Sequence, residues 1–272
     1  MIPLRDNIPS RTFPFVNYSL IATCVVVFLA QIAGSTSAQS EMIEQYGMIP
    51  QRVLNPGEQV LVEERVPVQT PRGLAVVERK RPAAETPFNP WLTLLTSMFL
   101  HGGWLHLIGN LWFLHIFGDN VEDRLGHFPY LLFYLGCGLA AALCHLLFNH
   151  NSTLPTVGAS GAIAGVMGAY LLLYPRAMVL SIVPIFVLIQ IIVIPAPVFL
   201  VLWFLLQFFQ GTMSIGAVEA GGVAWWAHIG GFAAGFAVAA LLQMSGATRP
   251  KVEQVLPDSD HIGMHPYRRR YS

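Results

Sequence analysis

Apolar runs close to the length of a membrane-spanning helix recur along the chain. A helix needs about 20 mostly apolar residues to cross a bilayer. The clear runs cover residues 16–34, 104–117, 128–148, 157–174 and 225–244, and Pro175-Arg176 closes the fourth. Ahead of the second, residues 90–95 predict a short interfacial segment. Residues 178–211 carry no charge but are broken by Pro184, Pro195 and Pro197. Proline disfavours a helix interior by about 3 kcal/mol. The pair at 195 and 197 therefore predicts a helix start and a span over 197–210, with 178–194 an interfacial or re-entrant approach. The pattern predicts six spans.

Between the spans lie two long polar segments. Residues 35–89 hold six Lys/Arg and seven Glu, several prolines and an alternating apolar patch around Val60–Val68. A β-hairpin and an irregular insert account for that pattern equally well. The tail, 246–272, is polar, ends in Arg268-Arg269-Arg270, and reads as disordered and cytoplasmic. Residues 1–245 then form one membrane domain, with 35–89 as an enlarged loop between its first two spans. Six spans put both termini on one face. The short loops of the other face, near 149–156 and 212–224, contain no Lys or Arg. The bias of Lys and Arg towards the cytoplasm predicts that both termini lie there, and the setting expected is a bacterial-type plasma membrane.

Composition narrows the class. Of 272 residues, 54% are hydrophobic and 11% charged, with formal net charge zero and a mean hydropathy of +0.55. Soluble domains carry about a quarter charged residues. High apolar content excludes a disordered chain, and the missing basic excess argues against a nucleic-acid partner. Three cysteines, Cys24, Cys137 and Cys144, all inside apolar runs, do not make a disulfide scaffold. The chain reads as an all-α, multi-pass membrane protein with the bilayer as its constant partner. Oligomeric state is not encoded legibly.

Polar side chains inside such spans are costly and point to function. Ser160 lies in Gly158-Ala159-Ser160-Gly161-Ala162, near the start of the fourth span. His228 lies near the start of the last, before Gly231-x-x-x-Gly235. His106 and Asn110 stand one turn apart at the start of the second. Spans two, four and six run in the same direction. At about 1.5 Å per residue, all three sites fall in one layer, roughly 5–10 Å below the outer surface. A serine hydroxyl needs a base to become nucleophilic, and His228 is the only histidine of its span. Gly158, Gly161, Gly231 and Gly235 let helices approach closely enough for a hydrogen bond between them. Asn110, His106 and the Ser160 N–H are the candidate donors for an oxyanion. No carboxylate stands where it would orient His228, so the arrangement is a dyad rather than a triad.

Each feature alone has a plainer explanation. Gly-Ala-Ser-Gly-Ala and Gly-x-x-x-Gly are common packing motifs. His101 and His106 could be a loop pair, and two histidines without a third ligand make a poor zinc site. His115, His127, His145 and His150 read as loop or helix-end residues. Cys137 and Cys144, seven apart, share a packing face. The combination is what points to hydrolysis.

These residues together resemble the rhomboid intramembrane serine proteases. The likeness runs through most of residues 91–243. It rests on His101-x4-His106-x3-Asn110, Gly-Ala-Ser160-Gly, Ala-His228 with Gly231-x-x-x-Gly235, and Glu122-x-Arg124-x-Gly126, which looks like a loop motif of that family. The resemblance implies a six-helix bundle with a water-filled cavity open to the outer side. It implies Ser160 as nucleophile, His228 as general base, and His106, Asn110 and the Ser160 N–H as oxyanion hole. Substrates would be transmembrane proteins, cut where small or helix-breaking residues expose the peptide bond, and no metal or organic cofactor is implied. The fifth span and the loop near 212–224 would form a lateral gate. Two positions depart from the family pattern. Many members carry an aromatic four residues after the nucleophile, stacked on the histidine, where this chain has Ala164, and neither Trp225 nor Trp226 is assigned to replace it. The family's Trp-Arg pair is missing from 35–89. The alternatives are a catalytically silent rhomboid-like protein that binds membrane clients, and a transporter lined by His106, Asn110 and His228. The first would not require both Ser160 and His228, and the second usually shows inverted repeats, which this chain lacks.

Overall fold

The computed structural model describes residues 1–70, 73–185, 188–213 and 224–250. In chain order the elements are β1 (Ile2–Asp6), α1 (Phe15–Ile32), α2 (Thr36–Tyr46), α3 (Pro50–Leu54), β2 (Leu61–Thr70), β3 (Gly73–Pro82), α4 (Thr93–Thr96), α5 (Trp104–Leu125), α6 (His127–Phe148), α7 (Ser160–Leu173), β4 (Met178–Ile185), β5 (Leu188–Pro195), α8 (Ala196–Met213) and α9 (Trp225–Met244). Short 3-10 turns flank α4. The chain is mostly helical, and α1, α6, α8 and α9 are each long and apolar enough to cross a membrane. It is an integral membrane protein.

The other two apolar helices differ from these for identifiable reasons. α7 has 14 residues, about 21 Å of helix, against a hydrocarbon core of about 30 Å. Almost every α7 side chain is buried, so protein rather than lipid surrounds it. α5 has 22 residues and runs past the expected end at 117 because its last turns carry Asp119, Glu122, Asp123 and Arg124, all paired within the protein or buried.

α7 and α9 form the tightest contact. A Cβ added to Gly231 would lie 2.0 Å from the Gly161 carbonyl oxygen, and one on Gly235 would lie 2.0 Å from that of Gly165. Glycine is therefore required for backbone to meet backbone. Cys137 and Cys144 of α6 fill the neighbouring spaces, Cys137 against Gly165 and Cys144 against Gly230. Both are packing residues, as their spacing suggests.

At the opposite end of the bundle, the close of α5 is stapled to the start of α1. Glu122 accepts the Val16 N–H at 3.0 Å and the Asn17 N–H at 2.7 Å, and faces His127. These are first-turn N–H groups without helical acceptors. Asp123 accepts from the Thr12 N–H, the Thr12 hydroxyl and Arg11. Glu122-x-Arg124-x-Gly126 is thus not a loop motif. Glu122 and Arg124 are helical and buried, and Gly126 alone is the joint between α5 and α6, at φ +87°. Only a residue without a Cβ adopts that angle freely.

Two segments are more ordered than the sequence suggests. In the stretch expected to be an interfacial or re-entrant approach, residues 178–185 and 188–195 are strands. β4 and β5 pair antiparallel, and β1 adds to β4 in the order β1-β4-β5. Pro3 is tolerated because β1 is an edge strand, and the register slips between Pro3 and Arg5. In residues 35–89 the hairpin is present as β2–β3, but α2 and α3 precede it. Arg81 grips Glu44 through two hydrogen bonds of 2.7 and 3.0 Å. Buried Arg52 donates to the carbonyls of Glu44 and Ala84 and to Thr86. The insert docks on the loop leading to Ser160, through a Met48–Thr156 bridge and a Gln51 N–H to Ser152 oxygen bond. The expected cap loop near 212–224 falls largely, and the tail mostly, outside the described residues.

Candidate active site

Ser160 is the first residue of α7, not a position inside a span. The chain reaches it through Gly158, at φ +127°, whose N–H is pinned to the Ser97 carbonyl at 2.9 Å. First-turn N–H groups, including that of Ser160, point out of the helix without intrahelical acceptors and carry its positive dipole end. His228 is the fourth residue of α9. The Ser160 Oγ and His228 Nε2 lie 2.7 Å apart. The glycine-on-glycine contact one turn below brings the two helices close enough for this bond.

The second polar group of the ring is also held. His228 Nδ1 lies 2.7 Å from the Gln207 Oε1 of α8. With the serine hydroxyl donating to Nε2, Nδ1 carries the proton and donates it to Gln207. The face left open by Ala164 is closed differently from the family pattern. Trp203 of α8 lies tilted against the imidazole with ring centres 5.7 Å apart, and Trp225 meets it edge-on at 6.2 Å. Trp226 points elsewhere and stacks on Phe148.

Donors gather around Gly158. His106, the third residue of α5, accepts the Gly102 N–H at Nδ1, which leaves Nε2 to carry the hydrogen in the neutral ring. A Cβ on Gly158 would lie 2.8 Å from His106 Nε2 and 3.7 Å from Asn110 Nδ2. Asn110 is buried and its Nδ2 has no hydrogen-bond partner. A buried amide donor left unpaired costs free energy, about 1–3 kcal/mol, and an incoming acceptor would recover it. A cavity of about 30 Å³ adjoins Ser160, lined among others by Met98, Ala141, Gly161 and Ala227. That volume is enough for a water molecule.

The structure therefore brings together Ser160, His228, His106 and Asn110, with Gly158, Gly161, Gly231 and Gly235 as the residues that permit the approach. Glu122, Arg124 and Gly126 lie at the other end of α5. His145 stands in the last turn of α6, at a helix end. It is buried and bonds Thr156 through Nε2. Sequence reasoning missed Gln207 and Trp203. The available signal was an amide in an uncharged span, seven residues after buried Leu200 and so on the same inward face. Among the described residues, no three His, Cys, Asp or Glu side chains converge as metal ligands.

Comparison with known proteins finds a family match. A profile described as the rhomboid domain matches residues 89–245, which include all four polar groups named above. Over 78 residues the chain is 42% identical to Rhomboid-like protein 11, chloroplastic, of Arabidopsis thaliana, covering 29% of this chain and 28% of that one. It is 41% identical to RHOMBOID-like protein 6, mitochondrial, of the same plant, over 29% of this chain and 25% of that one. Against Rhomboid protease GluP of Bacillus subtilis it is 41% identical over 81 residues, 30% of this chain and 15% of that one. The matched segment thus spans under a third of each relative's length.

Proposed function

This chain belongs to the rhomboid family, and on that premise we propose that it is an intramembrane serine endopeptidase acting through a Ser160–His228 dyad. The observation that carries the proposal is the 2.7 Å contact between the Ser160 Oγ and His228 Nε2. A serine at a helix start, hydrogen-bonded to a histidine whose far nitrogen is already bonded, is the arrangement that nucleophilic catalysis needs.

Ser160 Oγ attacks the scissile carbonyl carbon as its proton passes to His228 Nε2. The carbonyl oxygen becomes an oxyanion and accepts from the Ser160 N–H, the Asn110 amide and His106 Nε2–H. When the tetrahedral intermediate collapses, the C–N bond breaks and the imidazolium returns the proton to the leaving amine. An acyl-Ser160 ester remains. Water from the cavity beside Ser160 gives a proton to His228 as it attacks that ester. The bond from the acyl carbon to Oγ then breaks, the imidazolium returns the proton to Ser160 Oγ, and the acid leaves. The substrate is a transmembrane segment of another membrane protein. We further propose that α5 and α7 complete a six-span bundle with both termini cytoplasmic in a bacterial-type plasma membrane. In that bundle α8 is the side through which substrate enters.

The test uses purified full-length protein in detergent. Wild type is expected to react with a fluorophosphonate probe and to cleave a single-span substrate. Ser160→Ala and His228→Ala are each expected to lower cleavage by about 10⁴-fold or more at unchanged Tm. Equal cleavage by wild type and Ser160→Ala would overturn the assignment. A folded wild type that neither labels nor cleaves would favour a rhomboid-like protein that binds membrane clients without cutting them.

A further inference from the structure

The dyad has a third member that sequence motifs do not reveal. We propose that Gln207 of α8 is a positioning residue for catalysis, setting the tautomer and plane of the His228 ring; this rests on the hydrolase reading above. Three observations support it. First, the Gln207 Oε1 lies 2.7 Å from His228 Nδ1, as short as the serine contact on the other side of the ring. Second, Gln207 is buried, at 8% exposure, on the face of α8 shared with Leu200 and Gly211. A polar side chain there costs free energy unless it is used. Third, the aromatic contacts on the ring are loose, Trp203 tilted at 5.7 Å and Trp225 edge-on at 6.2 Å, with Ala164 adding none. An imidazole gripped only by ring contacts could turn about its bond to Cβ, but one bonded at both nitrogens cannot.

The chemical logic follows from the donor inventory. Neutral imidazole has one N–H and one bare nitrogen. Catalysis requires the bare nitrogen to face the serine. The Gln207 carbonyl oxygen can only accept, so it holds the hydrogen on Nδ1 and leaves Nε2 free to take the serine proton. An Asp in that role would also stabilise the imidazolium by charge, whereas a neutral amide contributes orientation without that charge. Because Ser160, Gln207 and His228 sit on α7, α8 and α9, the reacting geometry depends on three helices staying together. Withdrawal of α8 from α9 would release the histidine.

The test compares an isostere without an acceptor with one that keeps it. Gln207→Met is expected to lower kcat by about tenfold or more with KM within about twofold of wild type. Gln207→Glu, which retains an acceptor oxygen, is expected to recover most of that loss. Should Gln207→Met fold poorly, Gln207→Asn shortens the side chain and withdraws the acceptor in its place. The non-kinetic readout is the ¹⁵N chemical shifts of the His228 ring, assigned against His228→Gln. Wild type should show the Nδ1–H tautomer, and Gln207→Met should move towards a mixture. The proposal is overturned if a folded Gln207→Met keeps kcat within about twofold, if its tautomer signal is unchanged, or if Gln207→Glu is as slow as Gln207→Met. A wild type that neither cleaves nor labels would defeat the hydrolase reading, while the tautomer measurement, which needs no turnover, would still decide for or against Gln207.

Discussion

The carboxylates at the close of α5 and the donors at its start are treated in opposite ways, although Arg124 Nε and Nη1 and Asn120 Oδ1 near that close also have no hydrogen-bond partner among the described residues. At its close, Glu122 accepts from two first-turn N–H groups of α1, and Asp123 accepts from Arg11 and Thr12 in the segment before it. At its start, Asn110 holds a buried N–H without an acceptor, and His106 turns its remaining nitrogen towards Gly158. A saturated network lowers the energy of the resting fold and leaves nothing for a substrate. An unsaturated one costs stability and keeps donors ready for charge that appears only during reaction. On the proposed function, one helix serves as staple at one end and as receptor at the other.

That contrast is open to direct attack. The largest effect expected is on rate. Asn110→Leu should lower kcat by about 10²–10³-fold, the usual loss for one oxyanion donor, while Tm holds or rises because an unpaired amide is removed. A substrate-cleavage assay with a melting curve on the same sample checks both halves. A fall in Tm with unchanged kcat would make Asn110 structural and erase the contrast. Next in size is the staple. Glu122→Gln puts an amide N–H₂ against the α1 N–H groups or His127, and should cost about 2–4 kcal/mol of stability. Activity per folded molecule, counted by probe labelling, should stay near wild type. If labelling-corrected kcat fell as far as for Asn110→Leu, the two ends would be doing the same job.

The smallest effect concerns the insert. Burial raises the Glu44 carboxyl, but the Arg81 pair and the Ala84 N–H outweigh it and hold the group below the usual glutamate range. A group whose pKa is depressed on folding stabilises the fold above its unfolded value and loses that contribution as pH falls through the folded one. Protection of the amides at residues 41–46 and 81–84, measured as exchange relative to the intrinsic rate at each pH, should therefore stay high at neutral pH and fall in acid below the ordinary glutamate range. Glu44→Gln should show faster exchange already at neutral pH. An acid-induced loss of protection of equal size in Glu44→Gln would remove Glu44 as the cause.

Much of the site was visible in the residues. Charge is so scarce in the apolar runs that Ser160, His228, His106 and Asn110 stand out, and their places near three predicted span starts predict a single layer. The structure then placed the first two in direct contact. Hidden were the features made by segments far apart in sequence. β1 is a strand only because β4 offers it an edge, across a separation that no local pattern reports. Glu122 reads as a loop residue until its partners, Val16 and Asn17, are known to lie beside it.

Gln207 shows where the division falls. Hydrophobic periodicity sets which residues enter the membrane, because the cost of burying a polar group is a local property of the side chain. It therefore determined the class of protein and the short list of polar residues within its apolar runs. Which of those residues meet depends on the rotation and spacing of whole helices. Gly231 and Gly235 set that spacing through contacts with Gly161 and Gly165. An amide twelve residues into α8 becomes the acceptor for His228 only once that helix has packed against α9, so tertiary structure alone decided its role.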